Sequence, residues 1–296
     1  MAPEKQGNAG NSGDSFAAAP PAGVLAGNRD LHFSDEKAAP ETTGSTAGQK
    51  PTGSIQTASA PAGAETTTEA GSELPAVLGP QALRAAAVAG DPVAAYEIGA
   101  RYLDGRGIRA DASEAAAWLE RAFAKGSVPA AYRLGSIHEK GMNGRKNSAE
   151  ALRYYTLAAE RGNIKAMHNL AVIHAEGAEG QPDMKAATRW FRMAADRGVA
   201  DSQYNLGVLY ARGLGVEANL AESYRWFALA ANQGDTDAAK KRDDVAKRLD
   251  VQTLVAAKLA VQTWAPAPIE TSANEVRLRP EWEKAEAPAR KRSVKK

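Results

Sequence analysis

The chain has 296 residues with 37 Lys and Arg against 35 Asp and Glu, a formal net charge of +2, and no cysteine. That balance gives no electrostatic case for nucleic acid, which would want a basic stripe with interleaved aromatics. The missing cysteines exclude disulfide staples and zinc–thiolate sites. No apolar run approaches the roughly 18 residues of a spanning helix, and Met1–Lys5 leads into no hydrophobic segment. Neither membrane insertion by this chain nor a signal peptide is therefore expected.

Residues 1–79 are rich in Ala, Gly, Ser, Thr and Pro and contain no Trp or Tyr. So few large side chains cannot offset the entropy of ordering the segment, which predicts disorder. Residues 80–90, PQALRAAAVAG, place Leu83, Ala86 and Ala87 where the later units place second-helix core residues. They are expected to form a half-repeat closing the N-terminal end, because a terminal unit has no neighbour to cover it.

Glycine then falls at 90, 126, 162, 198 and 234, each 36 residues from the last. Counted from each glycine, position 8 is Ile98, Leu134, Leu170 and Leu206, and position 9 is Gly99, Gly135, Ala171 and Gly207. Position 12 is Tyr102, His138, His174 and Tyr210, and position 15 is Gly105, Gly141, Gly177 and Gly213. The stripe through 4, 8, 9 and 12 is that of an amphipathic first helix, and glycine at 15 suits a left-handed helix end. Position 21 is Asp111, Asn147, Asp183 and Asn219, followed in three units by Glu114, Glu150 or Glu222, the spacing of a capping box. A second helix then carries Trp118, Tyr154, Trp190 and Trp226 beside Leu119, Tyr155, Phe191 and Phe227, with alanine at position 32. Large aromatics facing small residues predict an interdigitating core rather than a row of exposed stacking rings.

After Gly234 a fifth first helix begins, but Arg242 and Asp243 replace the core pair, as a polar end cap requires. A last helix over 251–264 is expected to fold back with Leu254, Val255 and Leu259 inward. From Ala265 the chain is again expected to be a disordered tail, ending in the basic cluster Arg290, Lys291, Arg292, Lys295 and Lys296.

These columns resemble the Sel-one-like repeat family, relatives of the tetratricopeptide repeats. The first unit reads AAYEIGARYLDGRGI…AAAWLERAFAKG and the fourth SQYNLGVLYARGLGV…SYRWFALAANQG. Units two and three depart at the turn, with Met142–Asn143–Gly144 and Ala178–Glu179–Gly180. The resemblance implies an all-α fold: a right-handed α-solenoid of about four 36-residue units over 80–264 with helical caps. By the same resemblance, partners bind along a concave groove lined by the first helices. The candidate groove residues are Tyr96, Glu97, Tyr132, Arg133, Lys140, His168, Asn169, Tyr204, Asn205 and Arg212. An asparagine just before the Leu–Gly pair would offer a donor and an acceptor to a partner's backbone. For the position 6 tyrosines, packing between repeats is an equally open reading.

Searching for chemistry finds no nucleophile elbow, Walker loop or dinucleotide fingerprint. His138 and His174 occupy a tyrosine column one repeat apart, too far to share a metal, and His32 lies in the leading segment. No metal, cofactor or catalytic residue is assigned, and the protein is expected not to be an enzyme.

At whole-domain level, KAMHNLAVIHAEG and DAAKKRDDVAKRLD are similar to the C-terminal repeat region of the PodJ polar localization factors of alphaproteobacteria. In that family the repeats follow a coiled coil and a membrane span and lie in the periplasm. The expectation is a scaffold for a protein or peptide segment, with peptidoglycan-associated or polar proteins as candidate partners. The alternatives are a regulator of a sensor kinase ectodomain and a wall-active hydrolase, whose relatives are cysteine-rich. Compartment stays open: periplasmic by resemblance, cytoplasmic if the chain is complete as given.

Overall fold

The computed structural model describes residues 74–177 and 180–283. The expectations for 1–73, for Ala178 and Glu179 and for the basic cluster lie outside the described residues. A single 3-10 turn, Ala76–Leu78, precedes α1 (Gln81–Val88). Four helical hairpins follow: α2 (Pro92–Asp104) with α3 (Ala112–Ala124), and α4 (Val128–Lys140) with α5 (Ser148–Glu160). The third and fourth are α6 (Ile164–Glu176) with α7 (Met184–Ala195), and α8 (Ala200–Arg212) with α9 (Leu220–Asn232). The cap is α10 (Thr236–Ala246) and α11 (Val251–Gln262), and two single turns close the described chain, α12 (Thr271–Asn274) and α13 (Pro280–Glu283). From α1 to α10 each helix packs on the one before it, and α11 returns to α9; no strand occurs among the described residues.

Each hairpin turns where the repeat pattern says it should. The first helices end at Gly105, Gly141, Gly177 and Gly213, with φ of 68°, 65°, 71° and 68°, a region that a Cβ disfavours. The second helices start on the expected caps: Asp111, Asn147, Asp183 and Asn219 each accept from a first-turn N–H. The other half of the capping box does not form. The N–H of each cap instead donates to the carbonyl of the position 12 residue, at 2.8–2.9 Å, tying the two helices together. That frees the glutamates to pair forward, Glu150 with Arg153 and Glu222 with Arg225.

The aromatic column is core. Trp118, Tyr154, Trp190 and Trp226 are 0–7% exposed, and Leu119, Tyr155, Phe191 and Phe227 are fully buried. A Cβ on Gly135 would sit 2.6 Å from the Tyr155 ring, and one on Gly207 2.6 Å from Phe227. Position 9 is therefore small because the neighbouring ring occupies the space a side chain would need. His138 stacks on Tyr154 at 5.6 Å, as a core substitute for tyrosine would.

Three expectations need correction. Leu254, Ala257 and Val261, not Val255 and Leu259, form the inward stripe of α11; Val255 and Leu259 are 61% and 58% exposed. The hydrophobic residues of α11 run right round it, and the contact with α9 selects the stripe containing the small Ala257. At the N-terminal end, residues 74–79 join the fold: Leu78 is fully buried and Arg84 binds the carbonyls of Leu74 and Gly79. At the other end, residues 265–283 are not a disordered tail. They lie against the array and bury Ala273 and Trp282.

Candidate binding face along the first helices

The ten candidate groove residues share two columns and one edge of the first helices, but the structure gives them unlike surroundings. Glu97 is 5% exposed and accepts from Arg101 Nε at 2.7 Å and Arg106 Nη1 at 3.1 Å. Arg101 also reaches the Leu78 carbonyl at 3.0 Å. Glu97 thus anchors the leading turn to α2, a structural task that removes it from the binding row.

Beside it, Tyr96 is half-buried, and its hydroxyl accepts from Arg133 Nε at 2.8 Å. The Arg133 guanidinium lies over the Tyr96 ring at 5.6 Å and 3.6 Å from Asp104. This cross-tie joins units one and two while leaving both side chains partly open. Lys140, at the end of α4, is exposed.

In the other three units the position 6 ring packs on the aromatic of its own second helix. Tyr132 lies 5.9 Å from Tyr155, His168 5.6 Å from Phe191, and Tyr204 5.4 Å from Phe227. These rings pack within their own repeat rather than between repeats, and Tyr132 and Tyr204 stay half-buried rather than closed. His168 is fully buried, and its Nδ1 lies 2.8 Å from Ser202 Oγ on α8. Burial pushes its pKa down to about 4, so the ring is neutral at ordinary pH.

Position 7 is the most enclosed. Asn169 is 3% exposed and Asn205 fully buried, so neither projects freely into a groove as expected. Asn169 Nδ2 donates to Tyr155 Oη at 2.9 Å, and that hydroxyl donates to Glu139 Oε2 at 2.6 Å. Burial, then the Glu139 carboxylate, raises the Tyr155 pKa well above its ordinary value. Asn205 and the half-buried Arg212 are likewise engaged. On the adjacent residues His168 and Asn169, the buried atoms Nε2 and Oδ1 have no hydrogen-bond partner.

Sequence reasoning missed Glu139 and Ser202. A signal for Glu139 was available, since Tyr155 alone in its column carries a hydroxyl, and a buried hydroxyl needs partners. Ser202 gave none, being one small polar residue in the run Asp201–Gln203. Among the described residues no three His, Asp or Glu side chains gather to hold a metal ion. No described helix is long and apolar enough to cross a membrane.

Residues 92–127, 128–163, 164–199 and 200–235 each match the Sel1 repeat family. Among solved structures, the chain is similar to a Sel1 repeat protein from Oxalobacter formigenes at 30% identity and TM-score 0.51, over 55% of this chain and 47% of that one. It is similar to a protective antigen of uropathogenic Escherichia coli displaying an SLR fold, at 22% identity and TM-score 0.32, over 62% and 55% of the two chains. A putative Sel1 repeat protein from Klebsiella pneumoniae matches at 18% identity and TM-score 0.29, over 56% and 98%. The chain thus spans about half the length of the first two, at 47% and 55%. No curated protein matches it.

Proposed function

Residues 92–235 are four Sel1 repeats, and we propose that this array is a non-catalytic scaffold that holds an extended protein segment along its first helices. Sel1 repeat arrays mediate protein–protein interaction. The observation carrying the reading for this chain is the unpartnered pair His168 Nε2 and Asn169 Oδ1 in the middle of that row. A buried polar group left unpaired costs about 1–3 kcal/mol, a cost that a partner atom placed there would remove. A main-chain N–H from a bound segment would satisfy Asn169 Oδ1 while Nδ2 keeps its bond to Tyr155. Tyr132 and Tyr204, half-buried in the same column one unit to either side, are the rings that turn aside to admit it. Tyr96, Arg133, Lys140 and Arg212 extend the contact along the row.

The non-catalytic part rests on how buried ionisable groups are used. Glu97 is held between two arginines, and Tyr155 between Glu139 and Asn169, so each is committed to packing. The finer role, in organising a cell pole or envelope with polar or peptidoglycan-associated proteins as partners, rests on the resemblance of KAMHNLAVIHAEG and DAAKKRDDVAKRLD to the PodJ family.

The test is a displayed library of random peptides panned on the full chain, with selected peptides titrated against wild type and Asn169→Ala. That substitution leaves the Tyr155–Glu139 bond in place. The expected result is binding weakened at least about tenfold, a loss of about 1.4 kcal/mol, measured at a temperature where both proteins remain folded. Equal affinity for both proteins would remove Asn169 from the site.

A further inference from the structure

Residues 265–283 retrace the array in reverse along one edge, the row of turns between repeats. At the Gly198 turn, the Ala267 N–H donates to the Asp196 carbonyl at 2.7 Å. At the Gly162 turn the contact is denser. Asn163 Nδ2 donates to the Ala273 carbonyl at 2.6 Å, the Ile164 N–H donates to Asn274 Oδ1 at 2.8 Å, and Asn274 Nδ2 donates to the Gly162 carbonyl at 3.0 Å. Glu275–Arg277 then pass the Gly126 turn across an open cleft also lined by Val93 and Pro129. At the Gly90 turn, Arg279 pairs with Asp91 at 2.8 Å and Trp282, 2% exposed, enters the core beside α1.

Most of this segment is not core. Pro268–Ser272, Glu275, Arg277 and Arg279–Glu281 are exposed, and burial is confined to Ala273 and Trp282. Pro266 and Pro268 have no N–H, so its leading end holds the array through the Ala267 bond. A segment fixed at a few separated points is a docked ligand in its energetics, although it belongs to the same chain.

The groups it meets are mostly main-chain atoms that recur at every turn. What differs is position 1: Asp91, Ser127, Asn163, Val199 and Asp235. Asn163 has both an acceptor, which caps α6 through the Ala166 N–H, and a donor, which holds the Ala273 carbonyl. Serine, aspartate and valine cannot do both with that reach. The position 1 asparagine therefore fixes which turn receives Asn274.

We propose that the row of inter-repeat turns is a docking rail for an extended segment, occupied in cis by residues 265–283 in a register set by Asn163 and Asn274. The same segment of a second copy competes for it, exchanging copies between arrays. This surface is separate from the first-helix row, and either reading can fail without the other.

The experiment uses a fluorescein-labelled peptide of residues 265–283 and anisotropy titration against full-length protein. The variant carrying Asn274→Ala and Trp282→Ala, with its own strap loosened, is expected to bind at least tenfold more tightly than wild type. A peptide with Asn274→Ala should lose at least tenfold against that variant. Equal binding to wild type and variant, or binding to neither, would overturn the exchange. Hydrogen exchange on full-length wild type and Asn274→Ala covers the case in which the double variant unfolds. The Ile164 amide should exchange at least tenfold faster in the variant while interior amides of α5 and α6 do not change, and an unchanged Ile164 rate would overturn the cis register.

Discussion

The first helix of unit two differs from those of units three and four although all share the same columns. In α4, Ser136 and Glu139 are half-buried and Lys140 is exposed, whereas α6 is buried at every position from Ala166 to Ile173. At equivalent positions α6 carries Val172 and Ala175, and α8 carries Val208 and Ala211. The lesson is that a repeat column fixes which way a side chain faces but not how deep it lies. Depth depends on the neighbouring columns, which are polar in the open unit two, at Ser136 and Glu139, and apolar in the closed half, units three and four.

Substitutions can break or sharpen that contrast. The largest effect belongs to the closed half: Phe191→Ala removes a fully buried ring against His168 and should cost about 3–5 kcal/mol in urea unfolding. A cost below about 1 kcal/mol would mean that the half is less tightly packed than described.

Next comes pH. His168 is held near pKa 4 in the folded protein and titrates near 6.5 when unfolded. The unfolded chain therefore takes up the proton first. The stabilisation is complete above about pH 6.5 and is lost as pH falls toward 4, by about 3 kcal/mol in all. Across that range the unfolding midpoint of wild type should fall relative to that of His168→Leu on acidification. Parallel curves would contradict the burial of His168 as a neutral ring.

Gly207→Ala comes third. Its Cβ would meet the Phe227 ring at 2.6 Å, and overpacking of this kind costs about 1–3 kcal/mol. A neutral result in thermal melts would show that α8 and α9 can slide apart. The smallest effect lies in the open unit two. Arg133→Ala removes a partly exposed cross-tie to Tyr96 and Asp104, expected to matter by about 1 kcal/mol or less. A larger loss would mean that unit two depends on that tie as much as the closed half depends on its rings.

The hairpins, their glycine ends, their caps and the aromatic core were legible because each depends on local spacing and residue size. The N-terminal half-repeat was legible for the same reason. The strap was not: Ala265–Pro268 and Glu270–Asn274 have no periodicity, and docking depends on Asn163, 110 residues earlier in the chain than Ala273. Nor could spacing show that Asn169 and Asn205 are enclosed, because repeat registry says nothing of how closely successive first helices approach. Glu97 was misplaced through a contact with residues before the array, at Leu78 by way of Arg101.

The scaffold reading is tested most directly by a structure of the full chain bound to a selected peptide. The account predicts peptide along α4, α6 and α8, with a donor about 3 Å from Asn169 Oδ1 and the Tyr132 ring displaced. A peptide bound elsewhere, with Asn169 Oδ1 still unpartnered, would contradict it.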